Sequence, residues 1–140
     1  MTVESYRLKL QTRREGEIEN ITEKVQALLE NSKIRIGIAV LFVPGSTAAL
    51  TTIEYEPGLL HDFPAMLDRI APSNISYEHE KHWHDGNGHS HVRAALLGPD
   101  LTVPIHAGKL VLGTWQQIVF MELDVRPRNR EITVQLIGDS

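Results

Sequence analysis

Residues 101–137 read LTVPIHAGKLVLGTWQQIVFMELDVRPRNREITVQLI. Four β-prone runs stand in this stretch, Leu101–Ile105, Lys109–Leu112, Gln117–Val125 and Glu131–Ile137, and only short polar or glycine- and proline-containing breaks separate them. Such breaks are too short for the helical crossover that parallel strands need, so the C-terminal half predicts a mostly antiparallel sheet. The basic break Arg126-Pro127-Arg128-Asn129-Arg130 reads as a solvated hairpin turn rather than a phosphate-binding patch.

Working back from that sheet, Tyr6, Leu8 and Leu10 alternate with Arg7, Lys9 and Gln11, the pattern of a half-buried strand, and Arg14-Glu15-Gly16-Glu17 reads as a hairpin turn. Ile21, Val25, Leu28 and Leu29 then recur at helical spacing behind Asn20, an N-cap with Glu23 placed as in a capping box, and this helix ends near Asn31. The run Ile34–Val43 has the composition of a strand covered on both faces and stops at Pro44-Gly45. Leu50–Tyr55 is a further strand. Leu59, Phe63, Leu67 and Ile70 share one helical face, which puts Pro64 in the first turn and makes Asp62 the N-cap. Residues 73–90 predict a long exposed loop, followed by a short helix over His91–Leu97 that Gly98-Pro99 ends. Strands and helices do not alternate regularly, so the fold class is α+β: one domain over residues 1–140 with two to three helices.

At 140 residues, with 41% hydrophobic and 23% charged side chains, the chain has enough apolar material to close a core. A formal charge of -4 disfavours the broad basic surface that nucleic acid requires, so no nucleic-acid partner is expected. There is no cysteine, which removes disulfides, thiolate nucleophiles and cysteine-ligated metals and leaves His, Asp and Glu as metal ligands. No stretch approaches the roughly 20 apolar residues of a membrane span, so no membrane partner is expected and a cytoplasmic location follows by default. P-loop, dinucleotide-glycine, Gly-x-Ser-x-Gly and His-Glu-x-x-His motifs are missing, and with them the usual cofactor signatures.

Five of the seven histidines fall between His79 and His91, together with Asp85 and Asn87. Imidazoles supply both metal ligands and groups that titrate near neutral pH. His89 and His91 are two apart and share a side if the chain is extended, and His82 can fold back across Gly86–Gly88 to meet them. His82, His89 and His91 therefore form a candidate set for zinc or a similar divalent ion with an open position. The bland alternative is that these histidines are hydrated or cap the following helix. A second candidate set is Ser46-Thr47 with Glu54 and Asp62: hydroxyls and amides to receive an anion, carboxylates as acid or base. A strand-edge Glu54 and a capping Asp62 would be equally ordinary. Arg93 and Lys109 can neutralise a phosphate, and Trp115 reads as a core or subunit-interface anchor.

The run Gly98-Pro99-Asp100-Leu101-Thr102-Val103-Pro104-Ile105, followed by Gly108-Lys109-Leu110 and Leu112-Gly113-Thr114-Trp115-Gln116-Gln117-Ile118, resembles the signature of the YjbQ-like family. So do Ser46-Thr47-Ala48-Ala49-Leu50, Tyr77-Glu78-His79 and the run from Ser90 to Gly98. The resemblance implies a compact α+β domain with a strongly bent sheet, assembly as a homotrimer, and a secondary thiamine-phosphate synthase activity of transferase type that joins a thiazole phosphate to a pyrimidine pyrophosphate. Relatives commonly carry a histidine where this chain has Gly45, which would leave His89 or His82 to substitute for it. The expected site then has Glu54, Asp62, His79 and His91 as catalytic groups, Ser46, Thr47, Asn87 and Arg93 on a small phosphorylated substrate, and His82, His89 and His91 on a metal. The alternatives are a non-catalytic metal- or ligand-binding trimer, or histidines that pair with carboxylates across subunits.

Overall fold

The computed structural model describes all 140 residues. The elements in order are β1 (Thr2–Gln11), β2 (Ile18–Asn20), α1 (Thr22–Glu30), β3 (Ile36–Phe42), β4 (Ala48–Glu54), α2 (Pro57–Ile70), α3 (Glu80–Trp83), α4 (Gly88–Leu97), β5 (Asp100–His106), β6 (Lys109–Leu110), β7 (Gln116–Glu122) and β8 (Asn129–Asp139). Every strand pairing is antiparallel. The strands form a five-stranded sheet, β1-β8-β3-β5-β6, and a three-stranded sheet, β2-β7-β4.

The two sheets face each other across the main core. Ala39, Leu41, Val103, Ile132, Val134 and Leu136 come from the larger sheet, Leu50, Ile118 and Phe120 from the smaller, and α1 adds Val25 and Leu29. On its other face the smaller sheet meets α2 and α4 through Ala49, Met121, Leu123, Leu67 and Ala94. The three-stranded sheet is therefore the middle layer, which explains the near-continuous apolar run of β7: Ile118 and Phe120 point to one core, Met121 and Leu123 to the other. β3 and β8 approach so closely at the opposed pair Gly37 and Gly138 that a Cβ on Gly37 would come to 2.0 Å from the Ile137 carbonyl oxygen. Only glycine fits there.

Several expectations need correction. β3 is covered on one face only in the single chain, because Ala39 and Leu41 enter the core while Ile36, Ile38 and Phe42 lie exposed on the outer face of the larger sheet. Neither residues 14–17 nor residues 126–130 make a hairpin, since β1 and β2, and likewise β7 and β8, belong to different sheets, and Asn129 and Arg130 are already part of β8. α2 begins well before Asp62: Pro57 opens it, and the Glu56 carboxylate caps it by accepting from the Gly58 and Leu59 amides. Pro64 then lies inside the helix and forgoes one backbone bond. The N-cap of α1 is Ile21, one residue after the expected Asn20, and no side-chain capping bond forms there, although Asn20 accepts from the Thr22 amide at 3.1 Å. Trp115 lies outside the core, 73% exposed.

Residues 73–90 also depart from the expected exposed loop. The Glu80 carboxylate accepts from the amides of Gly86 and Gly88, each at 2.8 Å, and so ties the end of α3 to the start of α4. Asn87, His89 and Ser90 are buried as a result. A short polar segment thus satisfies its own backbone and needs no apolar pattern to be ordered.

Candidate functional site

The core-facing rows of several strands turn polar at one end of the sandwich. In β7 the row Ile118, Phe120 continues as Glu122 and Asp124, in β8 the row Leu136, Val134, Ile132 ends at Arg130, and in β1 Leu10 is followed by Thr12. Glu122 and Arg130 consequently meet as a buried ion pair. Arg130 donates from Nε to Glu122 Oε1 at 3.0 Å and from Nη2 to Glu122 Oε2, while Thr12 Oγ1 donates to Oε1 at 2.7 Å. With every oxygen of the acid engaged, the charges are compensated where water is excluded.

The loops that cross between the sheets at this end, residues 43–47 and 123–128, meet the α3–α4 junction there. Asp124 Oδ2 accepts from Thr47 Oγ1 at 3.0 Å and from Asn87 Nδ2 at 3.2 Å. Asn87 Oδ1 accepts from Ser90 Oγ and from the Val125 amide, both at 3.0 Å. Burial alone would raise the Asp124 carboxyl, but the Arg126 amide, Thr47, Asn87 and the nearby Arg128 charge together hold it below its ordinary value. Above this floor opens a pocket of about 570 Å³ whose only apolar side chains are the rings of Pro44 and Pro127; Ser46, Asp85, Asn87, His91, Asp124 and Arg128 are among its walls.

Asp85 and His91 line this pocket, and with His79 they bring three ligand atoms within 4.8 Å of one another, the one such group in the chain. The His79 and His91 ring centroids are 4.5 Å apart. His91 Nδ1 lies 3.1 Å from the Ser46 carbonyl oxygen, which can only accept; Nδ1 therefore carries the proton and Nε2 presents a lone pair. His79 Nδ1 is the only buried side-chain polar atom in the chain without a hydrogen-bond partner. It stands 3.5 Å from Asp85 Oδ1. Two ligands bound about 2.1 Å from a tetrahedral ion are separated by about 3.4 Å, so this gap suits a shared cation better than a direct hydrogen bond. The Asn87 amide, with His79 and His91 nearby, keeps the Asp85 carboxyl below its ordinary value against the opposing effect of burial. Asp85 is thus ionised at neutral pH and able to act as a ligand.

Of the residues singled out in the sequence, the structure brings together His79, His91, Ser46, Thr47 and Asn87. His82 and His89 do not join them. His82 is exposed on α3, whereas His89, 4% exposed, points to the opposite side of α4, where Nε2 contacts the Glu15 carboxylate. The helical turn at Gly88–His91 separates His89 and His91, which an extended chain would have put on one side. Glu54 is exposed at the end of β4, and Asp62 is exposed on α2 beside His61. Arg93 is buried on the far face of α4, donating to Asp68 at 2.8 Å and to the Ala71 carbonyl at 2.9 Å, and lines a separate pocket of about 420 Å³. Asp85 as a ligand, and Glu122, Asp124, Arg128 and Arg130 as the floor and far wall, escaped the sequence reading. The signal for Glu122 and Asp124 was an acid pair in register with the core-facing residues of an apolar strand.

These features define a class: an α+β protein with two antiparallel sheets and helices outside the smaller one, carrying a largely polar pocket with a His-Asp-His cluster at one end. A model of the family described as UPF0047 protein YjbQ-like matches residues 6–139, and the chain belongs to that family. A UPF0047 protein of Methanothermobacter thermautotrophicus is 45% identical over 138 residues, 99% of this chain and 94% of the relative, and one from Archaeoglobus fulgidus is 38% identical over 93% and 98% of the two chains. Among solved structures, a YbjQ-like protein of unknown function from Sulfolobus solfataricus superposes with a TM-score of 0.89 at 34% identity, covering 99% of this chain and 100% of that one. An uncharacterised member of the same family from Clostridium acetobutylicum gives 0.85 at 35% identity, over 94% and 99%. No helix of this chain is long and apolar enough to cross a membrane.

Proposed function

We propose that the pocket holds a divalent metal ion on His79, Asp85 and His91 and serves chemistry on a small phosphorylated substrate. The observation that carries this reading is the His79 imidazole, whose Nδ1 is buried without a partner and faces an ionised carboxylate across 3.5 Å. An isolated buried acceptor costs free energy that a bound cation would recover. When bound, the metal supplies a Lewis acid for phosphoryl oxygens and for a leaving group. The chain's own part is to orient the ligands and neutralise the substrate: the Ser46 carbonyl fixes the His91 tautomer, the Asn87 amide holds Asp85, and Arg128 brings a half-exposed guanidinium to the opposite wall.

A largely polar pocket with two guanidinium groups on its walls, Arg128 and Arg130, suits a single phosphorylated group. Thiamine-phosphate-synthase-like transfer, which must hold two phosphorylated partners, therefore fits as a side activity. The alternative of a non-catalytic metal- or ligand-binding protein draws on Asp124, the carboxylate at the pocket floor, whose bonds from Thr47, Asn87 and the Arg126 amide engage both of its oxygens. In either reading a homotrimer accounts for the apolar outer face at Ile36, Ile38 and Phe42.

Turnover of phosphate esters, and of the thiazole phosphate and pyrimidine pyrophosphate pair, in zinc- or manganese-loaded protein separates the two readings. His91→Ala and Asp85→Asn are expected to lose metal-dependent turnover with assembly intact. Unchanged turnover in both variants would remove the cluster from the mechanism, and tight metal binding without turnover on any of these substrates would favour the binding protein.

A further inference from the structure

Arg130 makes three kinds of contact within the chain. Nε donates to Glu122 Oε1, Nη2 donates to Glu122 Oε2, and Nη2 also reaches Thr47 Oγ1 at 2.9 Å and the Thr47 carbonyl at 3.3 Å. The two N–H groups on Nη1 find no acceptor in the protein. Because His79 Nδ1 is the only buried side-chain polar atom left without a partner, Nη1 must keep contact with solvent, although the side chain as a whole is 6% exposed. Arg130 and Gly45 both line the polar pocket. A Cβ on Gly45 would lie 2.9 Å from Nη1, with no other atom within 4 Å. The space in front of Nη1 exists because residue 45 has no side chain.

We propose that Gly45 is a window through which the buried Arg130 guanidinium grips an oxyanion of the ligand, making the pocket selective for phosphate and phosphate monoesters. This deepens the reading above and rests on it for the position of the metal on the other wall. Glu122 and Thr47 fix the guanidinium before any ligand arrives, so its two remaining donors cost little ordering when they are used. Arg128 and the Asp85–His91 wall open onto the same pocket, so a tetrahedral anion seated on Nη1 has a second guanidinium beside it and the metal ligands facing it. Without a cation, Glu122, Asp124 and Asp85 outnumber Arg128 and Arg130, and a divalent ion reverses that balance. Anion and metal should therefore strengthen each other's binding.

The test is titration of inorganic phosphate into the intact protein, metal-free and zinc-loaded, followed by calorimetry and by phosphorus NMR, with acetate as the competing planar anion. Wild type is expected to bind about one phosphate per chain, more tightly with zinc. Gly45→Ala, which covers Nη1, and Arg130→Lys, which keeps the charge but lacks Nη1, should each weaken phosphate at least tenfold while zinc affinity changes less than threefold. Acetate should bind at least tenfold more weakly than phosphate. If Arg130→Lys fails to fold, Gly45→Ala decides. Phosphate affinity within twofold of wild type in a folded Gly45→Ala, acetate binding equal to phosphate, or no saturable phosphate binding in either metal state overturns the proposal. Gly45-dependent phosphate binding in a protein that takes up no metal would leave the window standing and remove the metal reading.

Discussion

Replacing Asn87 by alanine tests how firmly the site is built into the fold. Three hydrogen bonds disappear: those from Ser90 Oγ and the Val125 amide to Oδ1, and that from Nδ2 to the Asp124 carboxylate. The first two are neutral bonds worth about 1 kcal/mol each, and the third, to a charged group, about 1.5–3. The Ser90 hydroxyl can turn to another acceptor and water can enter from the pocket, so the expected loss is about 3 kcal/mol. Zinc affinity should fall by about 10–100-fold, because the lost side-chain bonds to Asp124, Ser90 and Val125 anchor the segment that carries Asp85 and His91, although the backbone amide that holds Asp85 is kept. Urea unfolding at fixed protomer concentration measures the first effect, since any oligomer makes the midpoint concentration-dependent. Zinc competition measures the second. A stability change below about 1 kcal/mol together with unchanged zinc affinity would refute the view that this side chain ties the α3–α4 junction to the site.

Acidification should loosen the same segment. The Gly86 amide, first among several hydrogen bonds, holds the Glu80 carboxyl below its ordinary 4.5, and the Asn87 amide does likewise for Asp85, whose ordinary value is 3.8. A carboxyl with a lowered folded value contributes stability that is present above its unfolded value and is lost as pH falls through the folded one. Stability should therefore decline below about pH 4.5, and Glu80→Gln should show a shallower decline in denaturation between pH 6 and 3; identical slopes would contradict the role given to Glu80. The proposed homotrimer offers a separate test: wild type should sediment as a trimer and Phe42→Lys, on the open sheet face, as a smaller species, and a monomeric wild type or an unchanged mass in the variant would contradict a contact through that face.

Much of the fold was legible in the sequence because apolar periodicity reports directly on burial. The alternation at Tyr6, Leu8 and Leu10 and the helical spacing at Val25 and Leu29 each marked a real element, and the runs after Leu101 marked strands that all pair antiparallel, although of consecutive ones only β5 and β6 pair with each other. That logic cannot say which strands share a sheet, so residues 14–17 and 126–130 looked like hairpins. For α2 the difficulty was local: Pro64 is a common first-turn residue, and the competing cap at Glu56 followed by Pro57 was the stronger start. Around His79–His91 the sequence showed where the polar chemistry gathers but not which way each ring points, because one helical turn beginning at Gly88 sends His89 and His91 to opposite sides. Arg130 was hidden by its neighbours, since three arginines in five residues resemble a solvated turn even when one of them ends a core-facing row.

The central claim is that His79, Asp85 and His91 form a metal site, and metal content tests it most directly. Protein purified without a histidine tag, incubated with zinc, manganese or nickel and freed of excess ion, should carry about one divalent ion per chain by elemental analysis, and a folded His79→Ala, His91→Ala double variant should carry almost none. A wild type without stoichiometric metal under all three conditions, or a double variant that keeps its full complement, would contradict the account.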